Sequence, residues 1–468
     1  MKRLISQGLL SIAAMSILGG CAYEAASFQE ATASLKTETP KGERSFVAEH
    51  AEGNVSNAWL KSFNDPTLVS LVEEAQKNNP DLSVAATRVE KAAALMRLSE
   101  SGLYPHLNIR GNFTDFDYNN RDKGYFVGSV SWEPDIWGRL TSLNTADAEV
   151  LKSVAADFAW ARQSLAATTA KVWFSLNRDK MLHDFMRKIV KIQEKALYVA
   201  KEREEIGSGT KRDVHMVRAM AAESKQMLKN FEIMQQVDTR SLETIVGRYP
   251  ANAIVPQGLT EMPPEIPASG IPADLLNRRP DLVAARHRVA AAFHNEKAME
   301  LLKLPSISFR FDAGYDHVHN TLAKLISNLF MPVLDAGRID ALIAAATADQ
   351  KSAIANYKSV VLQAWREVEN ALAKEKQLKE RYDYLSTTVE EYKIAYDMTV
   401  ETYNIGEGTI IDVLLAQSKW IDASILRTNI ANQRLANRVN LYLALGGSFN
   451  AKPAWNPDYA KTHASEKK

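Results

Sequence analysis

Leu304-Pro305-Ser306-Ile307-Ser308-Phe309-Arg310-Phe311-Asp312-Ala313-Gly314-Tyr315-Asp316 is the stretch whose reading decides the fold. From Ile307 onward, Ile307, Phe309, Phe311, Ala313 and Tyr315 alternate with Ser308, Arg310, Asp312, Gly314 and Asp316. A period of two marks a strand with unlike faces, and this one has about the length of a tilted transmembrane β-strand. The stretch has an earlier copy. Tyr104-Pro105-His106-Leu107-Asn108-Ile109-Arg110 matches Leu304 to Arg310, and Leu107, Ile109, Gly111 and Phe113 alternate with Asn108, Arg110, Asn112 and Thr114. Tyr125 to Trp132 and, less regularly, Leu322 to Met331 supply strand partners, so strands lie at about 106–132 and 305–332.

The copy belongs to a longer repeat. Asn78-Asn79-Pro80-Asp81-Leu82 answers to Arg278-Arg279-Pro280-Asp281-Leu282, and Gly138-Arg139 to Gly337-Arg338. Gly207-Ser208-Gly209-Thr210 with Asp213-Val214 answers to Gly406-Glu407-Gly408-Thr409 with Asp412-Val413, and Val246-Gly247 to Leu445-Gly446. Five matches in one order mark a duplicated architecture, with a period far beyond that of ordinary solenoids. Each half reads as helix, strand pair, very long helix, tight turn and returning helix, an α+β fold. The spacing predicts helices over Thr67–Leu103 and Ala273–Leu302, with Asn79-Pro80-Asp81 restarting the first as cap, N1 proline and first-turn acid. Arg279 stands where the second cap would be.

Thr141 to Glu205 and Ile339 to Asn404 contain no proline, and at 1.5 Å per residue each spans roughly 100 Å. Ile339, Ile343, Ala346, Gln350, Ala353, Tyr357, Val360 and Ala364 recur in steps of four and three, a coiled-coil seam. Each long helix ends in Gly-x-Gly-Thr. The glycines suit left-handed turns, and Thr210-x-x-Asp213 and Thr409-x-x-Asp412 read as capping boxes. Residues 1–20 form a basic n-region (Lys2, Arg3) and a short apolar run, a secretory signal. It ends in Leu18-Gly19-Gly20-Cys21, which resembles a lipobox whose thiol is lipidated; Cys21 is the only cysteine. Ala22 after it suggests the outer membrane by the known sorting pattern. Residues 21–58 read as a flexible lipidated tether, 59–247 as the first repeat, 248–272 as a proline-rich linker, 273–447 as the second repeat and 448–468 as a loose tail.

Lys plus Arg (57) balances Asp plus Glu (56), so composition gives no nucleic-acid footprint. No later segment is apolar enough for a transmembrane helix. Alternation alone leaves the strands open between a soluble sheet with one wet face and a membrane sheet. Tyr104, Phe116, Tyr118, Tyr125, Trp132, Tyr315 and Phe330 cluster near the strand ends as interfacial belts do, and the lipobox favours the membrane. Four strands cannot close a barrel, and open edges are forbidden in lipid, so several chains must then share one.

Arg279-Pro280-Asp281-Leu282, Asp135-Ile136-Trp137-Gly138-Arg139, Gly406-x-Gly408-Thr409-x-x-Asp412-Val413-Leu414 and Leu445-Gly446-Gly447 resemble the TolC/OprM family of outer-membrane factors, specifically its lipidated branch, from about Trp59 to Gly447. The resemblance implies a homotrimer with a shared 12-stranded barrel of four strands per chain and a periplasmic α-barrel tunnel. It implies a passive exit duct for small molecules, docked on a periplasmic adaptor (membrane fusion) protein and an inner-membrane pump of the resistance-nodulation-division type. It implies no enzyme activity and no cofactor. An outlet for protein export with the same fold, or a non-channel coiled-coil lipoprotein, are the alternatives. In that family the tips near the Gly-x-Gly-Thr turns close like an iris and meet the adaptor, which points to Gly207, Gly209, Thr210, Gly406, Gly408 and Thr409. Asp412 matches the first gate aspartate, whereas the second falls on Leu415. Tyr403 and Asp213 match residues that tie closed tips together, but the arginine completing that link falls on Gly408.

Catalytic and metal constellations are absent from the pattern. His317 and His319 follow a strand in a polar stretch, and His287 and His294 sit on one helix as ordinary polar or packing residues. Gly-x-Gly-Thr lacks the lysine and preceding strand of a phosphate loop. The 13 methionines form no soft-metal cluster.

Overall fold

Two helical hairpins of equal dimensions form the body of the chain. In the computed structural model, which describes residues 26–43, 45–51, 53, 55–112, 125–258, 263, 265–316 and 322–454, α1 (Pro66–Asn78) and α2 (Pro80–Ser101) lead into β1 (His106–Asn112) and β2 (Tyr125–Trp132). Then α3 (Arg139–Glu205) runs to a tight turn and α4 (Lys211–Ile245) returns. The second half repeats this with α5 (Pro280–Glu300), β3 (Ser306–Asp316), β4 (Leu322–Phe330), α6 (Arg338–Asn404) and α7 (Ile410–Ala444). Both α3 and α6 have 67 residues, and α4 and α7 have 35. At 1.5 Å per residue the long helices measure about 100 Å. The signal, Cys21, Phe113, Thr114, Phe116, Tyr118, His317 and His319 lie outside the described residues.

Each returning helix is half the length of its partner, and a second helix completes the strut. The joints are equivalent in place and different in chemistry. Asn79 caps α2 by accepting from Leu82 N (3.0 Å) and donates to the carbonyl of Ile245 at the end of α4 (2.9 Å). Arg279 caps nothing; its Nη1 donates to the carbonyl of Ala444 at the end of α7 (3.1 Å). Buried to 1% exposure, this guanidinium also pairs with Asp281 (2.7 Å) and Glu367 (2.9 Å) and lies 4.9 Å from the Trp160 ring centroid. Gly247 and Gly446 have positive φ (80° and 68°) at these joints. A Cβ on Gly247 would stand 2.7 Å from the carbonyl oxygen of Asn78.

The sheet is antiparallel, with order β1-β2-β3-β4. Its registers place Leu107 beside Val130, Val130 beside Phe311, and Phe311 beside Leu325. Leu107, Ile109, Phe126, Val130, Trp132, Ile307, Phe309, Phe311, Ala313, Tyr315, Leu325 and Leu329 therefore share one face. Asn108, Arg110, Ser129, Ser131, Ser308, Arg310, Asp312, Lys324 and Asn328 share the other. No described residue of the four strands is buried, and β1 and β4 are open edges. Trp132 and Trp137 tie the sheet to its helical base, donating to the carbonyls of Leu103 (3.1 Å) and Pro305 (2.6 Å).

Several expectations need correction. The segment read as a flexible tether is docked where it is described: Leu35, Phe46 and Val55 enter a core cluster with Leu282, Val361 and Leu372, and Glu369 accepts from the backbone of Val47 and Ala48. Its few apolar residues are too widely spaced to show any period. The tail begins packed, with Ser448 and Phe449 buried and Phe449 N donating to Gln163 (3.1 Å). The seam of α6 drifts as well: Ile339, Ala346, Tyr357 and Ala364 are buried, but Val361 replaces Val360, followed by Val368 and Leu372. A helix of 3.6 residues per turn slips against a 3.5 repeat. The linker is held by Glu243, which accepts from Asn252 and Ile254 N, and by Asn177, which accepts from Gln257 and Gly258 N. His287 hydrogen-bonds the buried Glu149 (2.5 Å), and burial lowers the pKa of His294.

Arg279→Ala strands two carboxylates that retain some solvent, so the loss falls at the lower end for broken buried pairs, about 3 kcal/mol; thermal melts and limited proteolysis check this. A second prediction concerns the fully buried Asp179, held by Arg178 (2.6 Å) beside Asp238 of α4. Burial pushes the Asp179 carboxyl up to about 6, Arg178 opposes, and Asp238 adds to the rise. The folded state then binds more protons than the unfolded one, so stability falls as pH rises from the usual carboxylate range through about 6. Asp179→Asn should raise the melting temperature more at pH 7.5 than at pH 5.

Candidate functional site

The two hairpin tips are built by one local recipe. At the end of α3, Gly207 takes φ 77°, Ser208 N donates to the carbonyl of Arg203 (2.8 Å) and Gly207 N to that of Glu204 (3.1 Å). At the end of α6, Gly406 takes φ 87°, Glu407 N donates to Thr402 O (3.1 Å) and Gly406 N to Tyr403 O (3.2 Å). Both are Schellman closures, which require a left-handed residue after the cap. Only the first glycine of each pair is left-handed, against the expectation for both. Gly209 and Gly408 serve close approach: a Cβ on Gly408 would lie 3.3 Å from Tyr403 N and 3.4 Å from Thr402 Cγ2. The position that holds an arginine in the resembled family is sterically tight here.

The returning helices start with complete capping boxes. Thr210 Oγ1 accepts from Asp213 N (3.2 Å) while Thr210 N donates to Asp213 Oδ2 (3.1 Å). Thr409 mirrors this with Asp412, and its hydroxyl adds a bond to Asp412 Oδ2 (2.6 Å). Oδ2 thus carries the cap and Oδ1 stays outside it. Asp412 is exposed, as are its neighbours Ile411 and Leu415, so one acidic side chain stands with two apolar ones at the start of α7.

The tips meet each other within the chain. Ala200, Val214, Val217, Tyr396, Ile410, Val413 and Leu414, contributed by α3, α4, α6 and α7, form one buried cluster. Farther along, Gln193 donates to Gln417, Gln417 donates to the Tyr396 hydroxyl (3.4 Å), and Tyr396 stacks on Trp420 at 5.5 Å. Arg203 completes the junction: its guanidinium lies 4.2 Å from the Tyr403 ring centroid, and Nη1 donates to the Tyr403 carbonyl (3.3 Å). Within the chain, Tyr403 packs against Arg203, and Asp213 serves its own cap with Arg212 3.8 Å away. Arg203 carries no motif, since its partner is 200 residues distant.

A sheet with one apolar face, one polar face and two open edges, standing on two 67-residue helices, defines a subunit of a shared membrane channel. The chain belongs to the outer membrane efflux protein family, whose model matches residues 71–248 and 271–447. It is 25% identical over 474 residues to the probable efflux pump outer membrane protein TtgC of Pseudomonas putida, covering 95% of this chain and 96% of that one. It is 27% identical over 440 residues to the pyoverdine export outer membrane protein OpmQ of the same species, covering 88% and 92%. Its fold matches the CmeC outer membrane channel of Campylobacter jejuni with TM-score 0.80 at 20% identity over 91% of this chain and 97% of that one. The open-state MtrE channel of Neisseria gonorrhoeae gives 0.77 at 23% over 89% and 98%.

Arg203→Ala should lower hydrogen-exchange protection at the ends of both α3 and α6. Thr210→Ala, which removes the N-cap hydroxyl, should fray only the start of α4, at a capping cost of about 1 kcal/mol. Unchanged protection at both helix ends in Arg203→Ala would show that the apolar cluster alone holds the tips.

Proposed function

We propose that three copies of this chain close their sheets into one outer-membrane barrel and their hairpins into one periplasmic tunnel, the passive exit duct of a tripartite small-molecule efflux pump. The observation that carries this reading is the sheet: no described strand residue buried, one face apolar, and both edges unpaired. In lipid each unpaired backbone group costs several kcal/mol, so the edges of one copy must meet those of others. The polar face, with Arg110, Arg310, Asp312 and Lys324, then lines the water-filled lumen. Cys21 anchors the duct through its acyl chains. The duct performs no chemistry, and the inner-membrane pump supplies the energy. Names of relatives that specify efflux pumps support small molecules as cargo, and the resemblance to the lipidated branch supports a resistance-nodulation-division pump.

The tips form the gate. Three Asp412 carboxylates ring the lumen beside the apolar side chains of Ile411 and Leu415, so the family's second acidic ring is replaced by an apolar constriction, which resists wetting. Arg203 on Tyr403 fixes the two tips of one chain together, the role left empty by Gly408. The adaptor meets the turns at Gly207, Gly209, Thr210, Gly406, Gly408 and Thr409, where Ile206 (78% exposed) and Ile405 (68%) offer apolar anchors.

Single-channel conductance in planar bilayers tests the reading. The wild type should pass a small, cation-selective current, and Asp412→Ala should raise it or weaken its selectivity. Steady current indifferent to the substitution would place the gate elsewhere. No current from folded, lipid-inserted protein would contradict the duct.

A further inference from the structure

One side of the α6–α7 pair is covered and the other is bare. On α6, Lys358, Trp365, Glu369 and Lys376 share a face and meet the N-terminal segment and the linker. Lys358 and Lys376 pair with Glu38 and Glu49, Glu369 accepts from the backbone of Val47 and Ala48, and Trp365 donates to the carbonyl of Pro272 (3.3 Å). On α7, Arg438 reaches the linker carbonyl of Glu265 (2.6 Å) and pairs with the buried Glu375 (2.8 Å). Asn440 lies two positions on, about 200° round the helix, and looks out of the opposite side.

On that bare side α6 and α7 enclose a groove. Its two adjoining hollows, of about 570 and 440 Å³, share Lys374, Asn437 and Asn440. Arg366, Lys374 and Arg381 stand exposed along the α6 wall, and among the described residues none of them meets a carboxylate. Lys171 of α3 reaches in from the other side, donating to Asn440 Oδ1 (3.2 Å). Glu367 lines the sheetward end, but Arg279 already holds it (2.9 Å). The cations of the covered side thus have their acids, whereas those of the groove have none.

We propose that this groove is an anion-binding station in the tunnel wall, where three copies ring the lumen and take up solutes bearing carboxylate, sulfate or phosphate groups. This inference rests on the lipid-anchored duct proposed above. The anchor decides which side is which: acyl chains on Cys21 lie in lipid outside the barrel, and the segment that follows cannot cross a closed wall. The covered side of α6 and α7 is therefore the outer surface, and the groove opens inward. Unpaired positive charges lining a recess concentrate anions. Arg366 and Arg381 can each grip an oxyanion through two parallel N–H donors, while Lys374 and Lys171 act as point charges. The amides of Asn370, Gln377, Gln433 and Asn440 offer donors and acceptors to the uncharged remainder of a solute. The groove sits midway along α6, far from Asp412, so two rings of opposite sign act in series along one tunnel.

Planar-bilayer recordings of the acylated protein in about 0.1 M KCl, where charges are screened beyond about 10 Å, test the station with inorganic pyrophosphate as the probe. One variant combines Arg366→Gln, Lys374→Gln and Arg381→Gln, all at exposed positions. The control is Lys376→Gln on the covered side. Pyrophosphate should block the wild type and the control alike. The triple variant should need several-fold more for half block, and its reversal potential in a KCl gradient should move toward that of the cation. Equal block of the triple variant and the wild type would overturn the station, while the current itself upholds the duct. Loss of block in Lys376→Gln alone would put the lumen on the other side and overturn it too. A triple variant that runs as monomers on native gels would make the groove a seam with the partner subunit rather than a solute site. Absence of current from folded, inserted wild type would instead remove the duct on which the station rests.

Discussion

Backbone hydrogen bonds at the edges of a four-stranded sheet are the constraint on which the rest of this structure depends. Inside the sheet every strand has its ladder, but β1 and β4 each present a row of unmatched N–H and C=O groups. In water such edges are a hazard that proteins blunt with charge or prolines; in hydrocarbon they are untenable. The alternating side chains of β1 and β3 commit one face to an apolar surrounding, and this makes the edge condition binding. Closure by further copies satisfies it without adding a residue to the chain.

The duplication shows how a geometry persists while its chemistry changes. Each returning helix ends against the residue before a proline, and each end carbonyl receives a hydrogen bond from that residue. In the first repeat Asn79 does this as a neutral cap. In the second Arg279 does it as a buried cation that also gathers Asp281 and Glu367. The tips follow the same rule: matching Schellman turns and capping boxes, yet Arg203 occurs in one repeat and Tyr403 in the other. That asymmetry lets one tip hold the next, since two identical tips would offer two rings or two cations and no complementary pair.

Much of this was legible in the sequence because it is local. Strand alternation, the helix restart at Asn79-Pro80-Asp81, the lengths of α3 and α6, and the Thr-x-x-Asp boxes all rest on residues within a few positions of one another. The repeat then made each reading count twice. What escaped depends on contacts between distant residues. The segment around Leu35 and Phe46 is held by three or four separated side chains on helices it meets only after folding, and its polar composition suggested looseness. Arg203 has no motif because its partner lies in the other repeat. Gly408 looked like a second turn glycine, whereas its neighbours show a residue kept small by the backbone of Tyr403. The cap at Asp412 was legible in its spacing and Leu415 in the family resemblance, but that both stand exposed beside Ile411 at the start of α7 required coordinates.

The central claim is that the sheet edges are paired in the membrane by other copies of this chain. Amide hydrogen exchange of the protein in lipid nanodiscs tests it strand by strand. If the edges are closed, the amides of β1 and β4 exchange as slowly as those of β2 and β3, and all four quicken together when the assembly is dissociated. Fast exchange confined to β1 and β4 in the intact, membrane-inserted protein would mean open edges, and would contradict the shared barrel.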